Sequence, residues 1–355
     1  MVSSLAAPET HDPEHLRRAL ATQPDMRPRD LADSLGVAEA QLLAAQVGRG
    51  VTRISADPDR LVPRLGDLGT VMALTRNDHV VHEKVGDYAN YHPGDHAAMV
   101  LNGAIDLRIF SRHWVHAFAV ETGSGDSLRR SVQVFDAAGM AVHKVFLRAG
   151  SDAGAWTNLA ADLATDAQDD RLALAPIAAT ETPRGDPERA ETLRAEWAKM
   201  TDTHQFLRLV SKLKMNRLGA YRLAGAPRAV PLAATAVDDL LTTIAGSGVP
   251  VMVFVGNAGC IQIHSGPIDT LKPMGPWQNI MDPGFNLHLR RDRVTEVWLV
   301  EKPTRRGPAL SVEAFAADGG LILQVFGVRK DDADHVPAFR AITDGLPRAE
   351  SAEGA

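Results

Sequence analysis

His204, in the middle of the chain, combines a side chain that can bind metals with a helical sequence context. Thr201 and Asp202 precede it and are good N-cap residues, and apolar residues follow from Phe206 at helical spacing, so a helix is predicted to begin here. His204 would then lie in the first turn, about 200° from the apolar stripe. The positive end of the helix dipole favours neutral imidazole, the form that binds a metal. A surface or capping histidine is the alternative, and this segment alone leaves both open.

Two other groups of residues invite a chemical interpretation. Cys260 is the only cysteine, which excludes intrachain disulfides and sites built from several cysteines. Its apolar, strand-like surroundings favour a buried, inert thiol over a thiolate ligand. His79 and His82 are three residues apart beside Glu83 and Lys84, a spacing that brings side chains together on a helix but separates them on a strand. A metal site there is a hypothesis, and a weak contact to a larger ligand is another.

Composition limits the classes of function. The chain has 38 basic and 44 acidic residues among 355, a net charge of −6, so a broad polyanion-binding surface is not indicated and any anion site must be local. No stretch approaches ~18 consecutive apolar residues, which argues against a membrane span. The first residues lack the pattern of a signal peptide, and a cytoplasmic location is therefore expected.

An internal repeat defines the organisation of the chain. Residues from position 71 onward recur 180 positions later (251 − 71, for example), without gaps over some 75 residues. The helical segments that precede the two copies correspond at a smaller offset, 200 − 26 = 174, which aligns Met26 with Met200. This pattern predicts two similar halves. The matching pairs include Val71 and Val251, Leu107 and Leu287, Val120 and Val300, Ser131 and Ser311, and Phe146 and Phe326.

Short apolar runs separated by turn signals such as Asp318-Gly319-Gly320 predict hairpins within each half. The expected fold class is α+β, an internal duplication in which each half has an antiparallel β-sheet with helices packed on one side. The predicted segments are a flexible arm at 1–25, an N-terminal repeat at 26–150, a connector at 151–190, a C-terminal repeat at 191–340 and a tail at 341–355.

The segment from Arg29 to Ala44 has the pattern of a helix-turn-helix. A recognition helix needs basic and amide side chains that reach phosphates and base edges. Residues 38–46 offer Glu39 and two glutamines but no lysine or arginine. DNA binding is therefore not favoured, and no nucleic-acid partner is expected.

Several segments, in a fixed order, match one known family. The run from Trp197 to Phe206 resembles the segment that carries the axial haem ligand in the cytoplasmic haem-utilisation proteins of the HemS, HmuS and ChuS type, often called hemin-degrading factors. The resemblance extends over about residues 26 to 335, and it is the order and spacing of the segments that make it specific. The other matching segments are Thr75–Gly86, Ile105–Phe110, Asp282–Arg290 and Val297–Thr304.

The resemblance implies haem as the cofactor, His204 as the axial ligand of its iron, and Arg108 as the distal residue on the opposite side. An arginine is always charged and can donate hydrogen bonds to a ligand of the iron, so Arg108 is the candidate catalytic residue. The alternative for Arg108 is a strand arginine paired with a nearby acid such as Asp106 or Glu121.

The family pattern also assigns residues to the propionates and the ring. Arg217, Lys302 and Arg329 match the cations that hold propionates at the pocket mouth, although each alone would be read as a surface charge. In the other half, the positions equivalent to Lys302 and Arg329 are Thr122 and Ala149. The cations are not duplicated, which implies one haem per chain. Phe326 stands where the family commonly has a tyrosine, so it keeps a packing surface but lacks a hydroxyl donor. Phe254 and Met252 are further candidates for contact with the ring.

The resemblance implies a cytoplasmic haem-binding protein of haem uptake that opens the haem ring oxidatively and releases iron. Electrons would come from an external donor, because no Gly-rich nucleotide loop follows a predicted strand. The alternative function is a carrier that takes haem from an ABC permease and delivers it to a separate haem oxygenase. A histidine ligand with a distal arginine serves both functions, so the sequence leaves them open.

Overall fold

The computed structural model describes residues 11–330 and 333–349. The chain forms two compact units of mixed helix and strand. The first contains the described residues up to Arg76, together with His82–Ala179 and Gly256–Gln262. The second contains Asn77–Val81, Thr180–Val255 and the described residues from Ile263 onward. Each unit therefore includes a short segment from the other half of the sequence, which the repeat did not predict.

Within the described residues there are ten α-helices and seventeen strands, and the strands form two sheets of eight and nine. The helices are α1 (Pro13–Thr22), α2 (Pro28–Leu35), α3 (Glu39–Ala44), α4 (Pro58–Gly66), α5 (Ala153–Asp162), α6 (Ala190–Ala198), α7 (Gln205–Lys212), α8 (Arg217–Ala224), α9 (Ala236–Ile244) and α10 (Val336–Asp344). The strands are β1 (Val51–Ile54), β2 (Val71–Arg76), β3 (Val80–Gly86), β4 (Tyr91–His92), β5 (Ala98–Leu101), β6 (Asp106–Ile109), β7 (His116–Thr122), β8 (Arg129–Phe135), β9 (Ala141–Leu147), β10 (Ala229–Leu232), β11 (Val251–Gly256), β12 (Cys260–Gly266), β13 (Trp277–Asp282), β14 (Phe285–Arg290), β15 (Glu296–Lys302), β16 (Ala309–Phe315) and β17 (Leu321–Gly327). Short 3-10 helices lie at Ser111–His113, Gly125–Ser127, Pro187–Arg189 and Arg291–Arg293.

The two units repeat the same antiparallel ladder, which confirms the duplication. In the first unit the strand order is β1-β7-β8-β9-β2. The second unit has β10-β15-β16-β17-β11 in the same arrangement. Even the irregularities correspond, because the register shifts after Val134 in the first ladder and after Ala314 in the second, 314 − 134 = 180 positions apart. The α+β fold class is confirmed as well.

Helices pack on both faces of the ladder in each unit, so the expectation of helices on one side was wrong. In β15, Val297 and Leu299 belong to the core beneath α9 and α10, whereas Trp298 and Val300 belong to a second core formed with α6, α7 and α8. Successive side chains of a strand point to opposite faces, so a continuous apolar run buries both. The uninterrupted apolar run from Val297 to Val300 was therefore a sign in the sequence that both faces of this strand are buried.

Helices of the structure extend into three of the predicted segments. Within the predicted arm, α1 is ordered on the first unit, where Leu16 is buried and Arg17 Nε donates to the carbonyl of Ala45 at 2.7 Å. The predicted connector contains α5, whose Trp156 lies in the core of the first unit. The predicted tail contains the end of α10 and the buried Leu346. Residues 1–10 and 350–355 of the arm and tail lie outside the described residues.

The two helical regions correspond at a different offset from the one expected. Helices α2 and α7 begin at Pro28 and Gln205, an offset of 205 − 28 = 177, not 174. In the predicted helix-turn-helix, α2 ends at a left-handed Gly36, and both Glu39 and Gln41 of α3 are buried, so these side chains cannot reach the edges of bases. Over the described part of the chain, no helix is long and apolar enough to cross a membrane.

Candidate functional site

His204 lies at the start of α7 in the second unit, but at an earlier position of the helix than expected. It is the N-cap residue and not a first-turn residue, because the turn formed by residues 201–204 delays the helix to Gln205. Its side chain is 86% exposed. The backbone N–H of His204 donates to the Asp202 carboxylate at 2.8 Å, so Asp202 stabilises the turn and does not cap the helix. The imidazole therefore projects into solvent while its backbone is fixed.

Asp202 also orients the imidazole. The Nδ1 atom of His204 lies 2.7 Å from Oδ1 of Asp202. A carboxylate only accepts hydrogen bonds, so Nδ1 carries a proton, and in the neutral imidazole Nε2 presents its lone pair. The hydrogen bonds from the backbone and side chain of His204 lower the pKa of Asp202, which keeps it ionised. This carboxylate–imidazole pair has the arrangement that orients metal-binding histidines in proteins.

A pocket of about 450 Å³ lies beside the imidazole. Arg208 of α7 and Arg305 of the turn between β15 and β16 contribute its basic groups. The backbone N–H of Arg305 donates to the carbonyl of Thr201 at 3.0 Å, which attaches this turn to the His204 segment. Sequence reasoning did not select either arginine, since exposed arginines on a helix and a turn carry no distinctive pattern.

Phe206 connects the His204 segment to a charged cluster. Its ring lies 4.7 Å from that of Trp197 and 5.4 Å from that of Tyr221. The ammonium of Lys302 lies 4.9 Å from the centre of the Phe206 ring, and the guanidinium of Arg217 lies 5.9 Å from it. The structure thus brings Arg217 and Lys302 together around a residue that lies two positions after His204 in the chain.

The charged cluster consists of Arg217, Tyr221, Lys302, Ser311 and Glu313. Lys302 is not at a pocket mouth, because its side chain is only 4% exposed and its Nζ donates to Glu313 at 2.8 Å and to Tyr221 at 2.9 Å. Arg217 donates from Nη1 to Glu313 at 3.0 Å and retains 22% exposure. The cluster is therefore a buried ion-pair network with one partly open side.

The ionisation of the cluster follows from burial and charge. Burial alone would raise the pKa of Glu313, but the charges of Lys302 and Arg217 outweigh it and lower the pKa to about 2. Burial lowers the pKa of Lys302 to about 8, against the attraction of Glu313. Burial and Glu313 both hold the pKa of Tyr221 well above its ordinary value. At neutral pH the cluster thus contains a carboxylate, a phenol and two cations.

Arg329 lies apart from this cluster but beside the same turn. Its Nε donates to Asp334 at 2.9 Å. Gly307 in the β15–β16 turn has a φ of 101° and packs against the guanidinium, where an added Cβ would lie 3.1 Å from Nη1. Only glycine adopts this conformation without strain, and an added Cβ would also require the guanidinium to shift by a few tenths of an ångström. The turn at residues 303–308 therefore contacts both Arg329 and the His204 segment.

Phe326 contributes to an apolar surface on the same sheet face as the charged cluster. It is opposite Ser311 on one side and Met252 on the other, and its ring lies 5.0 Å from that of Phe254. Met252, Phe254 and Phe326 are half-buried. This outer face of the second ladder thus offers flat aromatic and thioether groups next to cations.

Arg108 is in β6 of the first unit. Its Nη1 donates to the carboxylate of Asp106 and to the carbonyl of Leu107 at 3.0 Å, and its side chain is partly exposed. This is the acid-paired arrangement that the sequence left open, with Asp106 and not Glu121 as the partner. The distal role of Arg108 stays a prediction.

The remaining candidates form no metal site. No group of three or more His, Cys, Asp or Glu side chains among the described residues could hold a metal ion. His82 is buried, and its Nδ1 lies 2.8 Å from Nε2 of Gln262, whereas His79 precedes β3 and belongs to the second unit. Cys260 is buried, and burial raises the pKa of its thiol to about 12, as expected for an inert cysteine.

Glu313 and Tyr221 are the functional candidates that sequence reasoning missed. Glu313 is an acid inside the apolar run Ala309–Phe315 of β16, and it is completely buried. A buried acid is rare unless it is paired, so its position in that run was a usable signal. Tyr221 gave no comparable signal, because a tyrosine in an amphipathic helix is ordinary.

The second unit thus combines an exposed imidazole, cations and half-buried apolar side chains. The profile of the family described as "Haemin-degrading HemS.ChuX domain" matches residues 36–163 and 214–346, one match in each half. The chain belongs to this family.

Individual relatives agree over nearly the whole chain. The hemin transport protein HmuS from Yersinia pestis is 36% identical over 88% of this chain and 91% of its own length. The structure of holo-PhuS, a heme-binding protein from Pseudomonas aeruginosa, is 41% identical, with a TM-score of 0.91 over 96% of this chain and all of that one. The heme-degrading enzyme ChuS from Escherichia coli O157:H7 is 32% identical, with a TM-score of 0.85 over 94% and 99% of the two chains.

Proposed function

We propose that this protein binds haem through His204 and opens the haem ring to release iron, as part of haem uptake in the cytoplasm. The observation that supports this most is the pairing of His204 with Asp202, which leaves Nε2 exposed as a metal ligand. The family and the names of its relatives support haem as the ligand.

The residues of the second unit suit the other requirements of haem. A porphyrin ring needs an apolar slot, and Met252, Phe254 and Phe326 provide half-buried apolar groups on one face. Propionates need cations, which Arg217 and Arg329 supply with partly open guanidinium groups. Bound haem would supply the redox-active iron, which no described cluster of protein ligands replaces. The protein residues would bind, orient and neutralise it.

The first test is a titration of the protein with ferric haem. We expect binding near one to one, and we expect His204→Ala to shift the Soret band and weaken binding, because the axial ligand is lost. His335→Ala is the matched control, since His335 is also an N-cap histidine of a helix in the second unit and follows an aspartate. A Soret band that is the same in His204→Ala and in the parent would contradict the assignment.

The carrier function remains a second candidate. It is the alternative that the sequence left open, and no described contact or relative favours it over ring opening. In that case the partners would be an ABC permease that supplies haem and a haem oxygenase that receives it.

Arg108→Ala distinguishes the enzyme from the carrier. If Arg108 donates to the reacting ligand of the iron, its loss should leave haem binding through His204 intact but reduce ring opening by about 10²- to 10³-fold, as for other preorganised donors. The assay is tetrapyrrole product formation from the loaded protein with a reductant and catalase. Arg130→Ala is the control, because Arg130 is likewise a strand arginine of the first unit paired with an acid, Glu121. Product formation at the parent rate in Arg108→Ala would exclude a catalytic role for Arg108.

A further inference from the structure

Glu313 is a completely buried acid that receives hydrogen bonds from four side chains. Oε1 accepts from Lys302 at 2.8 Å and from Ser311 at 2.9 Å. Oε2 accepts from Arg217 at 3.0 Å and from Tyr221 at 2.9 Å. Tyr221 in turn accepts from both Lys302 and Arg217, at 2.9 and 3.2 Å. The acid is therefore the centre of the cluster that contains two of the predicted propionate-binding cations.

The charge of this cluster is suited to one carboxylate. Arg217 and Lys302 are positive and Glu313 is negative, so the net charge is 1 + 1 − 1 = +1. The exposed fractions of the side chains are 22% for Arg217, 4% for Lys302 and zero for Glu313. An incoming anion therefore meets Arg217, while Lys302 lies behind it.

The contacts of Arg217 fix the direction in which its guanidinium can bind. Its bonds to Glu313 and Tyr221 both use Nη1. A guanidinium has five N–H donors in a rigid plane, so the Nε–Nη2 edge remains the edge that can take a carboxylate with two parallel hydrogen bonds. Fixing Nη1 holds that edge in one orientation before the ligand arrives, which lowers the entropic cost of binding.

The first unit shows that the fold itself does not require this acid. The position equivalent to Glu313 (313 − 180) is Gln133, which donates to Ser131 at 3.0 Å in an otherwise similar ladder. The position equivalent to Lys302 is Thr122. A neutral residue thus serves the same strand position in the first unit, and the acid is specific to the unit that carries His204.

We propose that Glu313 is a positioning residue for the ligand, because it holds the guanidinium of Arg217, the predicted propionate contact, in one orientation. This inference rests on the proposed binding of haem by the second unit. Because Glu313 is completely buried, it would act on the ligand through the orientation of Arg217 and the charge of Lys302.

The test compares ferric haem with its dimethyl ester, which has the same ring and iron but no free carboxylates. Affinities and Soret spectra are measured for the parent, Glu313→Gln and Glu301→Gln. Glu301 is the matched control, because it is a neighbouring glutamate of the same sheet whose ion pair, with Arg340, is partly exposed. Glu313→Gln should weaken binding of the free acid about tenfold or more, the value of a charged hydrogen bond, and change binding of the ester less than about twofold, with an unshifted Soret band.

The outcomes separate this inference from the proposed function. A parent protein whose Soret band does not depend on His204 would refute the function itself. If the parent binds haem through His204 but Glu313→Gln weakens acid and ester equally, or strengthens binding of the acid, the positioning role is wrong. Should Glu313→Gln not fold, Tyr221→Phe removes one donor to the same carboxylate, and it should show a smaller loss restricted to the acid.

Discussion

Replacing Glu313 by glutamine should reveal how much the charged cluster stabilises the protein. The pKa of Glu313 is about 2, against an ordinary value of 4.5. A pKa that is lower by one corresponds to about 1.36 kcal/mol, so the ionised form contributes about 3 kcal/mol at neutral pH. Glutamine keeps two acceptor lone pairs but no charge, and it leaves Lys302 and Arg217 without their anion. We expect the free energy of unfolding at pH 7 to fall by about 2 to 3 kcal/mol.

The stability lost in Glu313→Gln should depend on pH in a definite direction. Between pH 4.5 and pH 2 the unfolded chain binds the proton of Glu313 and the native protein does not, so the parent loses this stability as the pH falls. The difference between parent and Glu313→Gln should therefore be full above pH 4.5 and should shrink towards zero near pH 2. Urea unfolding followed by circular dichroism measures it, because urea does not screen charges. Glu301→Gln should cost less than Glu313→Gln at neutral pH, since the ion pair of Glu301 is partly exposed to solvent. A constant difference across this pH range would refute the reasoning.

Two further predictions concern ligand binding. Asp202→Ala should weaken ferric haem binding about 10- to 100-fold, because the carboxylate orients the exposed His204 imidazole. Unchanged affinity in a spectroscopic titration would contradict this. Arg329→Ala should weaken ferric haem binding about tenfold with an unshifted Soret band, because Arg329 would contact a propionate and not the iron. A shifted band, or an affinity equal to that of the parent, would place the propionates elsewhere.

Local patterns in the sequence were sufficient for the architecture. Hairpins form where apolar and polar residues alternate and turn residues follow, and both signals lie within short segments. The constant offset of 180 residues predicted that the two ladders are equivalent. The same kind of local pattern placed His204 beside the start of a helix. The helix begins two or three residues later than the predicted N-caps Thr201 and Asp202 imply, because the Asp202 carboxylate stabilises a preceding turn.

Only the tertiary structure decided what the charged residues contact. Arg217 and Glu313 are 96 residues apart in the chain, and neither residue carries a local sign of the other. Lys302 was expected at a pocket mouth, yet the packing of α7 and α8 on the outer face of the sheet buries it against Tyr221 and Glu313. A side chain's environment is set by whichever elements cover its strand. The sequence alone therefore determined the fold, the repeat and the exposed ligand candidate, whereas burial and ion pairing required the folded chain, because charges separated in sequence interact only after packing removes the water between them.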